Sequence, residues 1–371
     1  KNHYLLLLSF ITLLTSTSIA QDSENSRKDF DPVRQELSHW DAVRGPWLAR
    51  SMEAMSDNRP VPVRPFNENF TPHQMLRLVP ADTRENIINY ASSTERGSEN
   101  QKFWSDIRRY ASSPSCGTNS GRTYGDPHLV SFDGARYSFQ TVGEFVLAKS
   151  SRGDMEVQTR QKPQRDDFSL NTAVAMNVAG DRVCIYASDY PDGDYSTPVR
   201  LNGESVNLNA STYFLSHGGT IKKSNNTYTV YWPTGETVTT QMRRSGNMEF
   251  LNVSVNILSC SSGEYNGLLG NANGTSRDDF NTGMVAPVFV SNDPFGDGNY
   301  RDKQRQAFVA RQFADAHRIT QEESLFDYQI GKSSFAYTDR SFPRVINTFD
   351  DLSDSRINRS RRYCEKNGIS N

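Results

Sequence analysis

The sequence has 371 residues, of which 35% are hydrophobic and 23% are charged. Its 41 basic residues nearly balance its 43 acidic residues, so overall charge does not predict binding to nucleic acid or to a membrane surface. Aromatic residues make up 11% of the chain, which argues against global disorder, and the length predicts two or three domains. The mean hydropathy of −0.68 predicts extensive polar loops beside the core.

The first twenty residues have the layout of a secretory signal peptide. Lys1 precedes the apolar run 4–14, and Ser18 and Ala20 supply small residues at a cleavage site. The alternative is a buried N-terminal helix. We expect residues 1–20 to be removed and the mature chain to be secreted and extracellular. No later run is long and apolar enough to predict a transmembrane segment in this chain.

Residues 21–115 are predicted to form a small helical region. Asp31 and Thr71 are each followed by proline and then by apolar residues at helical spacing, which is typical of a helix start. A third short helix is predicted around Phe103. We see no catalytic cluster here, and we predict that three tryptophans form the core of this region: Trp40, Trp47 and Trp104.

From Thr123 onward the sequence predicts an antiparallel, mainly β domain. Short runs with β-branched or alternating apolar residues are separated by Gly, Asn and Asp, as in a β-sandwich. The runs are HLVSFD, ARYSFQ, GEFVLAKS, MEVQTRQ, TAVAMNV, RVCIYAS, PVRLNG, YTVYWP and FLNVSVNIL. Hairpin turns are predicted at 151–154 and at Asn202-Gly203. Residues 301–318 are predicted to form an amphipathic helix within an otherwise irregular tail.

Two motifs carry the strongest functional signal. The first contains GDPH at Gly125, then FDG and GEF; the second begins at Gly267 and reads GLLGNANGTSRDDF. In this order and separation they resemble the von Willebrand factor type D domain, which we expect over residues 116–290. The resemblance implies an extracellular β-rich module with one structural calcium ion. Downstream, the SLFDY segment at 324–328, with GKS at 331–333 and Phe342-Pro343, resembles the tail that follows this domain in membrane-mucin and sushi-domain extracellular proteins.

The second motif also predicts a calcium loop from its own chemistry. Amide, carbonyl and carboxylate oxygens recur at short spacing, and Gly274 permits the tight turn that brings hard oxygen ligands together. No His or Cys is in register for zinc. The resemblance adds a carboxylate from the first motif. The alternative is a turn that binds no ion. The predicted Ca²⁺ ligands are Asp133, Asn271, Asn273, Thr275, Asp278 and Asp279.

The cysteines are disulfide candidates in an oxidising compartment, and they form no CxxC pair that would favour zinc. They are Cys116, Cys184, Cys260 and Cys364. Three full pairings are possible, and Cys184 with Cys260 is one pair that the predicted strand ends allow. Many family members carry cysteine where this chain has Phe145 and Leu269, so the resemblance does not extend to disulfide-linked polymerisation. In the membrane-mucin and sushi-domain proteins that the tail resembles, the region around Cys364 continues to a second cysteine. Its absence here predicts that the C-terminal extension, residues 291–371, is truncated.

Several short motifs have weaker implications. Six sequons predict a glycoprotein, with acceptors at Asn69, Asn209, Asn225, Asn252, Asn273 and Asn358. The GDPH motif resembles a self-cleavage site between Asp126 and Pro127; the alternative is a packed turn. An integrin motif, Arg152-Gly153-Asp154, falls at a predicted hairpin tip, where an ordinary turn is the alternative. Residues 359–362 fit a furin-type sequence, but we favour a solvated helix face.

The sequence predicts a protein that acts by binding and not by catalysis. It contains no HExxH, GxSxG, phosphate-cradling glycine loop or CxxC motif, and its basic residues are not interleaved with aromatics as in nucleic-acid binders. We therefore expect a secreted calcium-binding adhesion or matrix protein whose partners are extracellular matrix or cell-surface proteins. The alternatives are a structural component of a secreted organic matrix, such as cuticle, shell or skeleton, and a mucin-like domain cleaved at Asp126–Pro127.

Overall fold

The computed structural model describes residues 30–56, 59–66, 72–94, 101, 104–105, 107–108, 117–208, 212–280, 303–348 and 351–366. The predicted signal peptide and Cys116 lie outside these residues. Contacts divide the chain into two compact units. The first comprises the described residues up to Gly117 with Tyr213–Ile221 and Tyr231–Glu236, and the second comprises Thr118–Thr212, Lys222–Val230 and the described residues from Thr237 onward.

The described residues of the first unit include four helices with defined bounds, and residues 101, 104–105 and 107–108 are also helical. The four helices are α1 (30–40), α2 (Arg44–Ser56), α3 (Pro72–Leu78) and α4 (Ala81–Thr94). The pattern that begins at Asp31 predicts one long helix, but the structure has a break after residue 40. Asp41 causes the break because its Oδ1 accepts hydrogen bonds from the backbone N–H groups of Val43 (2.8 Å) and Arg44 (2.5 Å) and caps α2.

Aromatic packing forms the core of this unit, as the sequence predicts. Trp47 and Trp104 are buried, whereas Trp40 is only partly buried. The indole of Trp47 donates to the carbonyl of Pro62 at 2.9 Å, which satisfies its one polar group. The backbone N–H of Val61 donates to the carbonyl of Ser216 at 2.7 Å. A segment that is distant in sequence therefore completes the helical unit.

Two antiparallel sheets make the chain mainly β and confirm the predicted fold class. The first sheet has strand order β10-β11-β12-β13-β14-β1-β2-β3, and the second has order β15-β4-β5-β6-β7-β8-β9. The strands are β1 (Thr118–Tyr124), β2 (His128–Val130), β3 (Arg136–Ser138), β4 (Gly143–Ser150), β5 (Met155–Pro163), β6 (Ser169–Val178), β7 (Asp181–Tyr186), β8 (Val199–Leu201), β9 (Glu204–Ser205), β10 (Thr212–Phe214), β11 (Thr220–Ser224), β12 (Thr227–Tyr231), β13 (Thr237–Ser245), β14 (Met248–Leu258) and β15 (Tyr265–Asn266).

The core of the second unit combines alternating apolar side chains with a buried polar link. On β14 every second residue is buried from Leu251 to Ile257, whereas β6 is buried along almost its whole length. Asn171 of β6 donates from Nδ2 to Oγ1 of Thr123 at 3.0 Å and to the carbonyl of Leu251 at 3.4 Å. This amide joins one sheet to the other and satisfies polar groups that burial would otherwise leave unpaired.

The C-terminal residues extend the second unit beyond the sheets. Helix α5 (Lys303–Phe308), the π-helical turn Val309–Phe313 and α6 (Ala314–Ala316) confirm the helix predicted at 301–318. Residues 317–345, which we call the strap, then form β-bridges to β4 and to the residue that precedes it. A last helix, α7, spans Asp354–Lys366.

The strap covers a buried ion pair on the second sheet. Arg160 of β5 donates to Glu144 of β4 at 2.7 Å, and both side chains are 1% exposed or less. The guanidinium lies 3.8 Å from the ring centroid of Tyr337 and 4.4 Å from that of Phe326, both in the strap. The hydroxyl of Tyr328 donates to Glu144 at 2.5 Å. The strap therefore supplies aromatic faces and a hydroxyl to charges that have left water.

We predict that Arg160→Met lowers the free energy of unfolding by about 3–5 kcal/mol, because it leaves the Glu144 carboxylate buried without a cation. Urea unfolding measures this loss. The double variant Arg160→Met/Glu144→Gln removes both charges and should recover at least half of it. Equal instability of the single and double variants would show that the ion pair is not the cause.

Candidate metal centre

The structure brings the two sequence motifs together through backbone pairing. In the second motif, Leu268 and Leu269 donate their N–H groups to the carbonyls of Val146 and Leu147 on β4, each at 3.0 Å. The carbonyl of Leu269 accepts a hydrogen bond from Phe132 in the first motif at 2.9 Å. The FDG turn and the GLLGN segment are therefore neighbours, although the chain makes most of both sheets between them.

Two glycines make this close packing possible. Gly267 has a φ of +125°, and a Cβ at this position would lie 2.8 Å from the carbonyl oxygen of Leu147. Gly270 has a φ of +80°, and a Cβ there would overlap Oδ1 of Asp279. Both positions combine a positive φ with close contact to other atoms, so any other residue would displace the loop.

Asp133 connects the first motif to the second. It lies in the turn between β2 and β3, where Gly134 adopts a φ of +87°. Its Oδ1 accepts the N–H of Gly274 at 2.8 Å, and its Oδ2 accepts the N–H of Asn273 at 3.1 Å. Asn273 and Gly274 are 140 and 141 positions away from Asp133 in sequence. The structure therefore places this carboxylate against the second-motif loop.

The remaining oxygen-bearing residues form the loop itself. Oδ1 of Asn271 accepts the N–H of Asn273 at 3.1 Å, and Oδ1 of Asn273 accepts the N–H of Thr275 at 2.8 Å. The carbonyl of Thr275 accepts the N–H of Asp278 at 3.4 Å. Nδ2 of Asn273 donates to Oδ2 of Asp278 at 2.7 Å. Successive side-chain turns thus set the shape of the loop.

Asp279 is the buried carboxylate of the site. Its Oδ2 accepts a hydrogen bond from the hydroxyl of Ser131 at 2.5 Å, while its Oδ1 is buried without a hydrogen-bond partner. The pKa of Asp279 is raised to about 7, chiefly because the carboxylate is buried; the charges of Asp133 and Asp278 also raise it, and hydrogen bonds from Ser131 and the backbone of Asn271 lower it. Oδ1 of Asp278 is also buried and unpartnered.

These features fit a hard cation better than a simple turn. Two orphaned carboxylate oxygens and a third carboxylate within electrostatic range carry negative charge that no described cation neutralises. Among the described residues, no group of three or more His, Cys, Asp or Glu side chains is arranged to hold a metal. An ion here would therefore need the amide and carbonyl oxygens of the loop, a donor set that suits Ca²⁺.

The GDPH motif forms a tight turn between β1 and β2. Gly125 has a φ of +65° and donates its N–H to Oδ1 of Asn252 at 3.0 Å. Oδ1 of Asp126 lies 3.1 Å from Nε2 of His128. Burial is the largest single influence on the pKa of Asp126 and raises it, but the hydrogen bond and charge of His128, a backbone hydrogen bond and the charge of Arg165 together lower the pKa overall. A cavity of about 210 Å³ opens beside the turn, lined by Asp126, His128, Gln140, Arg165, Asp167 and Asn347, among others.

The RGD sequence lies in the predicted turn between β4 and β5, but its arginine is not presented to solvent. The Arg152 side chain is 9% exposed. Its guanidinium contacts Oδ2 of Asp154 at 3.0 Å and Oε2 of Glu264 at 2.7 Å. The arginine and the aspartate of the motif therefore bind each other.

Cys184 corrects one predicted disulfide. It is a free thiol buried within β7, and its Sγ donates to the carbonyl of Leu325 at 3.2 Å. Burial raises the pKa of this thiol to about 12. The predicted pair of Cys184 with Cys260 is therefore wrong, because Cys184 points into a cluster with Ala173, Ala175, Tyr186 and Phe326. The side chains of Cys260 and Cys364 lie outside the described residues.

The sequons fall in different environments. Asn225 and Asn358 are exposed, in the β11–β12 turn and on α7. Asn252 is partly buried, and Asn273 is exposed but uses both its amide atoms within the loop. Asn69 and Asn209 lie outside the described residues.

Comparison with known proteins identifies the class of this domain. Residues 121–284 match the sequence model of the von Willebrand factor type D domain, so this part of the chain is a domain of that type. The chain is also similar to human Sushi domain-containing protein 2, with 27% identity over 183 residues. The similarity covers 45% of this chain and 21% of the relative, so the chain spans about a fifth of that protein's length. No helix in the described residues is long and apolar enough to cross a membrane.

We predict that the calcium-free protein loses stability as pH rises from about 4, the ordinary aspartate pKa, to about 7, the pKa of Asp279 in the fold. The folded state binds this proton more tightly than the unfolded state, so stability falls as the proton leaves and then becomes constant. Urea unfolding in EDTA across this pH range measures the effect.

To isolate the contribution of Asp279, the pH profile of the free energy of unfolding of Asp279→Asn is subtracted from that of the wild-type protein. That variant should lack this part of the decline, whereas Asp166→Asn, at an exposed aspartate of the same unit, should keep it. Parallel profiles for wild type and Asp279→Asn would contradict the assignment of the raised pKa to this residue.

Proposed function

We propose that this chain is a secreted, calcium-stabilised extracellular protein that acts by binding, in cell adhesion or in the extracellular matrix. The type D domain and the similarity to a sushi-domain protein support an adhesion or matrix role. The signal-peptide layout and the sequons support secretion and glycosylation. The partners in this proposal are extracellular matrix or cell-surface proteins.

One observation supports calcium most strongly. The carboxylate of Asp133 reaches the loop that ends in the buried carboxylate of Asp279, and two carboxylate oxygens of that loop have no hydrogen-bond partner. Calcium, when bound, supplies the positive charge that this cluster lacks. The residues that would hold the ion are Asp133, Asn271, Asn273, Thr275, Asp278 and Asp279. Because they come from both motifs, the ion would tie the two motifs together.

Two more specific roles are integrin binding and a structural role in a secreted matrix, and the structure supports them unequally. Integrin binding through residues 152–154 would require Arg152 to leave Asp154 and Glu264, so we do not include it in the proposal. A structural role in a secreted organic matrix uses the same calcium-stabilised fold. Recovery of the native protein from an insoluble matrix, rather than from the cell surface, would favour that role.

We predict that millimolar calcium raises the melting temperature of the EDTA-treated protein and that Asp133→Ala and Asp279→Ala abolish this rise. At a calcium concentration 100 times Kd, binding stabilises the fold by about 2.7 kcal/mol. Thermal unfolding followed by circular dichroism measures the shift. Asp166→Ala removes an exposed carboxylate of the same unit and should leave the calcium response unchanged.

An unchanged melt of the wild-type protein over this range would contradict calcium binding. A calcium response that survives in Asp133→Ala would place the ion elsewhere. Magnesium serves as the second control, because it prefers near-ideal octahedral geometry and resists dehydration. A flexible oxygen loop of this kind should therefore respond much less to magnesium than to calcium.

Self-cleavage at Asp126–Pro127 is a second candidate activity, favoured by the contact of His128 with Asp126. A carboxylate oxygen of Asp126 would attack the carbonyl carbon of the same residue. The C–N bond to Pro127 would break, a proton from the imidazolium of His128 would go to the proline nitrogen, and water would open the resulting anhydride.

We predict two chains on a reducing gel if this reaction occurs, with a new N-terminus at Pro127. Asp126→Asn should abolish the cleavage, and His128→Gln should slow it. A single intact chain after prolonged incubation between pH 5 and pH 7.5 would show that the motif is a packed turn only.

A further inference from the structure

Helix α7, Asp354–Lys366, is an exposed helix with an unusually basic sequence. Of the side chains described on it, only that of Ile357 is partly buried, and all the others are exposed. This confirms the solvated helix face that the sequence predicts for residues 359–362. The helix carries four arginines and one lysine in thirteen residues.

The cations are not spread evenly around the helix. At 100° per residue, Arg356, Arg359, Arg362 and Lys366 fall within about 120° of the circumference. We call these four residues the basic face. The acidic residues of the helix, Asp354 and Glu365, occupy sequence positions on the other side, as does Arg361. The basic face therefore holds four positive charges and no negative charge, over a length of about 15 Å.

The basic face also differs from many other cations of this unit, because no described carboxylate pairs with it. Many described arginines are committed to carboxylates, as Arg182 is to Asp327 at 2.5 Å and Arg200 is to Asp192 at 2.6 Å. In the described part of the chain, the four residues of the basic face form no ion pair. Their charges act outward on solvent, where they attract an anionic partner.

The chemistry of the helix favours a linear polyanion over a membrane surface. A helix that lies on a lipid bilayer needs a broad apolar face opposite its cations, and Ile357 and Tyr363 do not form one here. Arginine side chains bind tetrahedral oxyanions through paired N–H donors. Four cations in a row about 15 Å long can each contact a different anionic group of an extended sulfated chain.

We propose that the basic face of α7 binds a sulfated polysaccharide. This inference rests on the extracellular location in the proposed function but not on calcium, so the two proposals fail separately. Binding of this kind would attach the protein to the glycans of a matrix or cell surface through residues outside the calcium loop.

The test uses the full mature chain and heparin as the probe, with Kd measured at several NaCl concentrations. The triple variant Arg356→Gln/Arg359→Gln/Arg362→Gln should bind more weakly. It should also reduce the slope of log affinity against log salt by about 2, because each cation that no longer binds a sulfate lowers this slope by roughly 0.7 for a flexible polyanion. Circular dichroism and the melting temperature verify that the variant is folded.

A matched pair of single variants tests whether binding depends on the position of the arginine on the basic face or only on the net charge of the helix. Arg359→Gln and Arg361→Gln each remove one exposed arginine from the same helix, but only the first lies on the basic face. We expect Arg359→Gln to weaken binding severalfold and Arg361→Gln to have little effect. Equal losses of affinity in the two variants, or an unchanged affinity in the triple variant, would overturn the proposal.

Two ligand controls test the chemical class. Heparin from which the sulfates have been removed should bind much more weakly at the same chain length. Vesicles that contain phosphatidylserine should not retain the protein at physiological salt. Equal binding of desulfated heparin would overturn sulfate recognition, and vesicle binding that requires the same arginines without heparin binding would assign the face to a membrane instead.

Discussion

A buried carboxylate at the junction of two distant motifs is the constraint on which the rest of the site depends. Asp279 is 6% exposed, and a charge in this environment needs a proton or a cation. The surrounding residues set that choice. Ser131 hydrogen-bonds one oxygen, Gly270 leaves room for the carboxylate, and Asp133 adds a second negative charge. A metal ion would resolve the conflict in a way that no described side chain does.

The fold holds this carboxylate in place from both sides. Phe280, the next residue, lies 5.0 Å from the ring centroids of both Tyr137 and Phe313. Tyr137 belongs to the first motif, whereas Phe313 belongs to the helical segment that follows the domain. Residues beyond the matched range 121–284 therefore support the loop. The strap likewise packs over the buried ion pair of Arg160 and Glu144. The described part of the C-terminal extension therefore belongs to the folded unit.

Much of this architecture can be predicted from the sequence, because the signals are local. The structure contains the strands predicted between HLVSFD and FLNVSVNIL, and it contains the predicted turns at 151–154 and 202–203. Strands β1 and β13 escape prediction because TNSGRTY and TVTTQMRRS are polar and lack apolar alternation. The ligand residues of the loop can be proposed from their spacing, whereas the meeting of Asp133 with Gly274 depends on pairing between distant segments.

Other features depend on tertiary contacts that no local pattern shows. The roles of Ser131 and Gly270 follow only from the position of Asp279. Cys184 has the sequence features of a disulfide candidate in a secreted chain, but its side chain packs against the strap. The RGD turn is correctly placed by sequence, yet the burial of Arg152 results from Glu264, more than a hundred residues away.

The most direct test of calcium binding at this carboxylate is titration calorimetry at pH 7 in buffers of different ionisation enthalpy. Because the pKa of Asp279 in the calcium-free fold is about 7, calcium binding should release about half a proton from this residue at pH 7. Asp279→Asn should bind calcium more weakly and release much less. Heats that do not depend on the buffer, or the absence of calcium binding to the wild-type protein, would contradict the central claim that the buried carboxylate is a calcium ligand.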